Sequence, residues 1–239
     1  MEIVAHSDTG RIRRNNEDSV AYDPDAAVAV LADGMGGLDA GEIASSVAVD
    51  VVLAELRFAE EHSEGLLKAA VETANSAVRY AAAQASVDMG TTLVAWLLTR
   101  QGQCFVANVG DSRVYRIRGG ALRRLTSDHS MVQQMIDDGV LSEAEAQTSP
   151  QRNVITRALG LEERVEVDVR SWVYAPGDLY LLCSDGLTDM ITEAEITAIL
   201  GSQLSDADGS LEAAAAGLVS GANEAGGHDN VSVLLIRPG

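Results

Sequence analysis

The chain reads as an α+β domain: a four-layer α-β-β-α sandwich in which two antiparallel sheets pack face to face and a helix pair covers each outer surface. Three observations predict this. Short apolar runs of strand length cluster at the start, in the middle and at the end of the 239 residues. Several are separated by only two to four polar or glycine residues, too few for a parallel crossover, so the connections imply antiparallel neighbours. Helical periodicity is confined to two blocks, each long enough for two helices.

Taken in order, "EIVAHS", "SVAY" and "AVAVLAD" read as strands, the last ending at Asp33. A helix follows from about Asp39 to Leu56 and a second from about Ser63 to Ala85, where Leu66, Leu67, Ala70, Val71, Ala74, Ala77 and Val78 recur at helical spacing. Ser63 with Glu64 reads as a helix start, which Gly65 weakens. A meander of "TTLVAWLLT", "CFVANVG", "RVYRIR" and "ALRRLT" comes next, joined by "RQGQ", "GDS" and "GG". Residues 126–164 interrupt the pattern: they are polar, partly helical and contain Pro150. "VEVDVRSWVY" and "DLYLLCSDG" resume the strands, helices at roughly 192–200 and 208–222 follow, and "NVSVLLIR" is the last strand. No linker, repeat or low-complexity stretch divides the chain, so residues 1–239 are one domain.

Composition narrows the function. Lys and Arg total 17 against 36 Asp and Glu, a formal net charge of −19, which argues against nucleic acid or an anionic membrane as main partner. If a substrate is anionic, something other than the overall field attracts it, and a bound cation would serve. No apolar stretch approaches the roughly 20 residues of a membrane helix, and "MEIVAHSDTG" has neither the basic start nor the apolar core of a signal peptide. Cys104 and Cys183 sit inside apolar runs and read as buried reduced thiols. A cytoplasmic protein is expected.

The carboxylates carry the chemistry. Asp33 in "VAVLADGMGG" and Asp185 in "LYLLCSDG" each end a strand before glycine. Asp111 follows a strand and a glycine, Asp229 precedes the last strand, and "NNEDS" places Glu17 and Asp18 before another. Each alone is an ordinary turn residue. Together, several strands terminate in carboxylates beside glycines, where a metal or phosphate can approach the backbone. Clustered carboxylates repel unless protons or cations neutralise them. All the donors are oxygens, which favours Mg²⁺ or Mn²⁺ over zinc. Two such ions can acidify a water between them into a nucleophile for phosphate esters. Arg13, four residues before Glu17, can bring a guanidinium to the same rim, and arginine grips phosphate with two prongs. Taken alone, Arg11, Arg13 and Arg14 are a solvated basic patch.

"SDTGRIRRNNEDS", "ADGMGG", "GTT", "VGDSR", "SDGL" and "HDNVSVLL" occur here in the order found in the metal-dependent serine/threonine protein phosphatases of the type 2C family. The chain resembles that family from about Ser7 to Leu235, and its compact size is similar to bacterial members that oppose membrane-linked kinases. The resemblance implies that Asp33 bridges two metals, that the Gly34 carbonyl serves one of them, and that Asp185 and Asp229 complete the other metal's protein ligands. Glu17 and Asp18 would act through metal-bound water, Arg13 would hold the substrate phosphate, and Asn230 would orient Asp229. Asp111 with Asp185 resembles the site of a third, weaker metal. Segment 126–164 corresponds to the flap of the bacterial enzymes, its plainer reading being a surface insertion. The implied protein is a monomer acting on phosphorylated proteins and paired with a cognate serine/threonine kinase.

One departure concerns the general acid. Animal members carry histidine where this chain has Met35, which cannot donate a proton. His6 and His62 read as core or surface residues, whereas His129 and His228 could approach the site. Two narrower functions remain open: an inactive pseudophosphatase scaffold, against which Asp33, Asp185 and Asp229 all stand, and a dedicated phosphatase of one anti-sigma antagonist. A calcium-binding module lacks its loop pattern.

Overall fold

The computed structural model of the chain describes residues 1–37, 40–204 and 209–239. Asp39, expected to open the first helix, and Asp208, expected to open the last, lie outside the described residues.

Strands β1 (Glu2–Asp8), β2 (Asp18–Asp23) and β3 (Val28–Gly36) lead to helices α1 (Ala40–Arg57) and α2 (Glu64–Ala85). Then come β4 (Met89–Thr91), β5 (Leu93–Leu98), β6 (Gln103–Val109), β7 (Arg113–Arg118) and β8 (Ala121–Arg124). Short helices α3 (Met131–Asp137) and α4 (Glu143–Gln147) fill the polar segment before β9 (Asp168–Val173) and β10 (Leu179–Cys183). A single turn, α5 (Asp185–Thr188), precedes α6 (Glu193–Leu204), α7 (Leu211–Glu224) and β11 (Val231–Arg237). Local chemistry explains the ends. Ser63 caps α2 by accepting from Leu66 N at 3.2 Å, so Gly65 does no harm, and Ser86 closes it in the left-handed region. Ser142 and Glu145 form a reciprocal capping box on α4.

The strands form two antiparallel sheets, ordered β1-β11-β10-β7-β8 and β2-β3-β5-β6-β9, with β4 pairing β3. Three buried layers lie between four structural ones. Leu67, Val71, Ala74 and Val78 of α2 pack with Val52 and Leu56 of α1 on Val30, Ala32 and Ala95 of the larger sheet. Ile196, Leu200, Leu211, Ala215 and Leu218 of α6 and α7 pack on Leu181, Val233 and Leu235 of the smaller. Between the sheets lie Leu31, Val94, Trp96, Val114, Tyr180, Leu182 and Leu234. The α-β-β-α sandwich is therefore as expected, and no helix among the described residues is long and apolar enough to cross a membrane.

Two expectations are corrected. The meander is not a run of sheet neighbours: β6 belongs to the larger sheet and β7 to the smaller, so "GDS" carries the chain across the sandwich. Gly110, at φ +102°, makes that corner, where a Cβ would stand 2.6 Å from Thr92 Cγ2. The third strand also does not stop at Asp33. It continues to Gly36 by pairing with β4, Gly34 opposite Thr91 and Met35 opposite Gly90.

Candidate functional site

Five carboxylates meet where the two sheets open at one end. Asp33 in β3 and Asp18 at the head of β2 are directly paired across their strands. Asp111 lies in the inter-sheet corner, Asp185 starts α5 after β10, and Asp229 lies before β11. Thus both sheets contribute, which only their face-to-face packing makes possible.

Backbone bonds hold the rim. Asp33 is clamped by the two threonines of "GTT": its N–H donates to Thr92 Oγ1 at 3.0 Å, and its carbonyl accepts from Thr92 N at 2.9 Å and Thr91 Oγ1 at 2.8 Å. Thr92 Oγ1 in turn meets Ser112 Oγ at 2.7 Å, linking Asp33's clamp to the corner bearing Asp111. Gly34 donates to Glu17 O at 3.0 Å. A Cβ on Gly34 would lie 2.1 Å from Gly41 O and 2.6 Å from Glu17 O, so the close approach of α1 and the Glu17 segment requires glycine here. Ser184, beside Asp185, donates to Asp18 Oδ2 at 2.8 Å and accepts from Ser232 N at 3.0 Å.

The N-terminal loop between β1 and β2 closes the rim. Arg13 Nη2 donates to Asp229 Oδ2 at 2.7 Å. Asn230 holds Asp229 through its main chain while its side chain turns to the N-terminal loop. Its Nδ2 donates to Thr9 O and Asn15 O, each at 2.9 Å, and its Oδ1 accepts from Glu17 N at 2.8 Å. Its main-chain N–H holds Asp229 Oδ1 at 2.8 Å. Asn230 thereby shapes the loop that presents Arg13 and Glu17.

Electrostatics follow from this geometry. Burial raises the Asp33 carboxyl well above its ordinary value, and the charges of Asp18, Asp185, Asp111 and Asp229 push it the same way. Asp185 is raised similarly, by burial and then by Asp111, Asp189, Asp229 and Asp18. Burial pushes Asp18 up to about 6 against the hydrogen bonds of Ser232 and Ser184. Asp111 reaches about 6 through burial and the nearby Asp128. Asp189, not singled out from the sequence because neither a strand end nor a glycine adjoins it, joins this field and is itself raised, chiefly by burial.

Asp18 Oδ1, Asp111 Oδ1 and Asp185 Oδ1 are buried and have no hydrogen-bond partner. Buried carboxylate oxygens seldom go without a partner, and these three lie among like charges. Such all-oxygen donors fit a hard divalent cation. Among the described residues, however, no three Asp, Glu, His or Cys side chains are already drawn into an assembled metal site.

His6 and His62 are engaged outside the rim. His6 meets Glu212 Oε1 at 2.7 Å and His62 meets Leu56 O at 3.0 Å. His228 is exposed beside Gly226. His129 is buried, with Nδ1 accepting from Gly110 N at 3.0 Å and Nε2 between Arg157 and Asp168. It locks the polar segment against the corner that carries Asp111. Leu159 bridges to Thr91 from the segment's other end.

Fold and rim thus define a class: a two-sheet sandwich with an acidic, oxygen-only centre between the open sheet ends. Comparison with known proteins names the family. The family described as Protein phosphatase 2C matches residues 6–214, and the chain belongs to it. It is 40% identical to the serine/threonine phosphatase Stp of Listeria innocua, over 99% of this chain and 96% of that one. The solved serine/threonine phosphatase PstP/Ppp of Mycobacterium tuberculosis superposes with a TM-score of 0.88 at 38% identity, covering 98% of this chain and 97% of that chain. A PstP catalytic domain solved in complex with 2 manganese ions superposes at 0.84 with 35% identity, covering 98% and 96%.

Proposed function

We propose that this chain is a metal-dependent protein phosphatase that hydrolyses phosphoserine and phosphothreonine on proteins. The observation that carries the reading is the set of buried, unpartnered oxygens of Asp18, Asp111 and Asp185 in one field with Asp33 and Asp229, beside Arg13. Relatives named serine/threonine phosphatases over their full length, one of them holding two manganese ions, support it.

Asp33, the Gly34 carbonyl, Asp185 and Asp229 would hold two Mn²⁺ or Mg²⁺ ions, with Glu17 and Asp18 reaching them through water, and Asp111 with Asp185 a weaker third. When bound, such a pair supplies water acidified to nucleophilic strength near neutral pH. The chain's own residues do the rest. Arg13 meets Asp229 at the rim, which places its guanidinium where it would clamp phosphoryl oxygens. Asp18, held by Ser184, is placed to accept a proton from water next to Asp33. Asn230 keeps the Arg13 loop in register. Residues 126–164 act as the flap over this rim, and the protein works as a cytoplasmic monomer opposing a serine/threonine kinase. Free, buried Cys104 and Cys183 accord with a reducing compartment.

The test is hydrolysis of a phosphothreonine peptide with Mn²⁺, alongside thermal melting. Activity that Asp33→Asn abolishes, with a melting temperature raised by Mn²⁺ in the wild type alone, is expected. Full activity after exhaustive EDTA dialysis would overturn the metal assignment.

A further inference from the structure

Away from the acidic rim, residues 113–124 read "RVYRIRGGALRR": five arginines and no carboxylate in a chain of net charge −19. The β7–β8 hairpin forms one edge of the smaller sheet, and β8 pairs with β7 alone. Three of its arginines have carboxylate partners. Arg113 and Arg124 both bind Asp128, and Arg118 binds Asp178. Arg116 and Arg123 have none among the described residues, although they stand directly opposite each other across the two strands. Arg116 Nε is buried without a hydrogen-bond partner.

Like charges opposed in this way destabilise a sheet, and an anion beside them would offset that cost. The surroundings define its shape. Tyr180 lies beside Arg116 in the next strand, and Trp172 from the other sheet donates to Tyr180 OH at 3.1 Å. On the opposite face of the hairpin, Ile117 and Leu122 line a cavity of about 410 Å³ with Leu179, Leu200 and Leu204. Successive residues of a strand point to opposite faces. A strand added along β8 would therefore set alternate side chains over the arginines and over the apolar cavity.

We propose that the β8 edge docks an extended acidic segment of the protein substrate, with acidic residues alternating with apolar ones. Main-chain pairing to β8 supplies orientation, Arg116 and Arg123 select the charge, and the cavity takes an apolar side chain. The choice of a short peptide over nucleic acid or membrane follows from charge. A polyanionic surface broad enough to cover the molecule meets the field of the remaining acidic residues, whereas one strand meets the arginine face of the hairpin and, on the other face, a cavity whose one carboxylate, Asp178, is already paired with Arg118. The assignment of the segment to a substrate rests on the phosphatase reading above; the docking edge itself does not.

The experiment separates the two. A short fluorescein-labelled peptide of alternating Asp and Val, without phosphate, is titrated with the full chain and read by anisotropy, so no catalysis is involved. Binding that weakens with added salt, and falls about tenfold in Arg123→Glu as a charge-assisted bond becomes a repulsion, is expected. Arg123→Glu turns the opposed pair into an ion pair, so its melting temperature should equal or exceed the wild type's while binding drops; misfolding cannot imitate that combination. Unchanged binding in the variant, equal binding of a Lys-for-Asp peptide, or arginine-dependent binding to anionic vesicles but not to the peptide would overturn the docking edge. With a phosphothreonine joined to the acidic segment, Arg123→Glu should raise KM and leave kcat and p-nitrophenyl phosphate hydrolysis unchanged. An unmoved KM would remove the substrate from the proposal, and inactivity of the wild type toward both compounds would instead defeat the phosphatase reading.

Discussion

At the scale of single residues, the site depends on where uncompensated charge has been put. Asp33 is held by its backbone through Thr91 and Thr92, so Asp33→Asn should fold normally and relieve repulsion. Its activity should fall beyond the roughly 10–100-fold typical of residues standing behind a ligand, measured with p-nitrophenyl phosphate and Mn²⁺. Arg13 is half exposed and donates to Asp229. Arg13→Ala should lower kcat/KM about ten- to a hundredfold, the worth of a charged hydrogen-bond pair; an unchanged value would return Arg13 to the solvated surface. Asp111 supplies a different comparison. If it serves a water that protonates the leaving alkoxide, the role Met35 cannot fill, Asp111→Ala should hurt phosphopeptide turnover more than that of p-nitrophenyl phosphate, whose phenolate leaves unaided. Equal losses would exclude it from acid chemistry. Gly34→Ala should be worse for folding than any of these, by at least about 1–3 kcal/mol of overpacking, because its Cβ would fall 2.1 Å from Gly41 O; urea denaturation measures it.

At the scale of elements, the corner at Gly110–Ser112 and the segment after Thr126 form one unit. His129 Nδ1 accepts from Gly110 N, and its own main-chain N–H donates to Gly110 O at 2.9 Å. Burial, then the Arg157 guanidinium, lowers the imidazole below its usual 6.5. A lowered histidine binds its proton more readily in the unfolded chain. The anchoring is therefore complete above pH 6.5 and weakens as pH falls from there toward the native value. Corrected for the intrinsic pH dependence of amide exchange, the protection of residues 126–164 should fall over that acid range, and His129→Gln should flatten the dependence. Protection that is level with pH in the wild type would show that the ring does not fasten the segment.

For the whole molecule, the acidic rim exists only while the two sheets stay packed. Trp96 and Tyr180, one from each sheet, meet with ring centroids 5.3 Å apart and are fully buried. Trp96→Ala should cost about 3–5 kcal/mol, read from chemical denaturation, and should weaken the Mn²⁺-induced rise in melting temperature, since Asp33 and Asp185 sit on opposite sheets. A full rise in the mutant would mean that the rim is held by its loops alone.

Much of this was determined by the sequence alone. Helical spacing placed α1 and α2, because a stripe of Leu, Val and Ala at that period can be buried only as a helix face. Six short motifs in order resembled one family and singled out Asp33, Asp111, Asp185 and Asp229, since glycine-flanked carboxylates at strand ends are local features. Tertiary structure decided what depends on distant partners. Short links suggested that β6 and β7 are neighbours, yet they lie in different sheets, because a two- or three-residue link fits a corner as well as a hairpin. The strand through Asp33 ran on past its glycines because β4, more than fifty residues later, supplied hydrogen bonds that no local pattern reveals. Asn230 turned to the N-terminal loop and Asp189 joined the carboxylate field for the same reason. Side-chain partners more than two hundred residues apart, like Arg13 and Asp229, are chosen by packing, and packing is settled only when the sheets close.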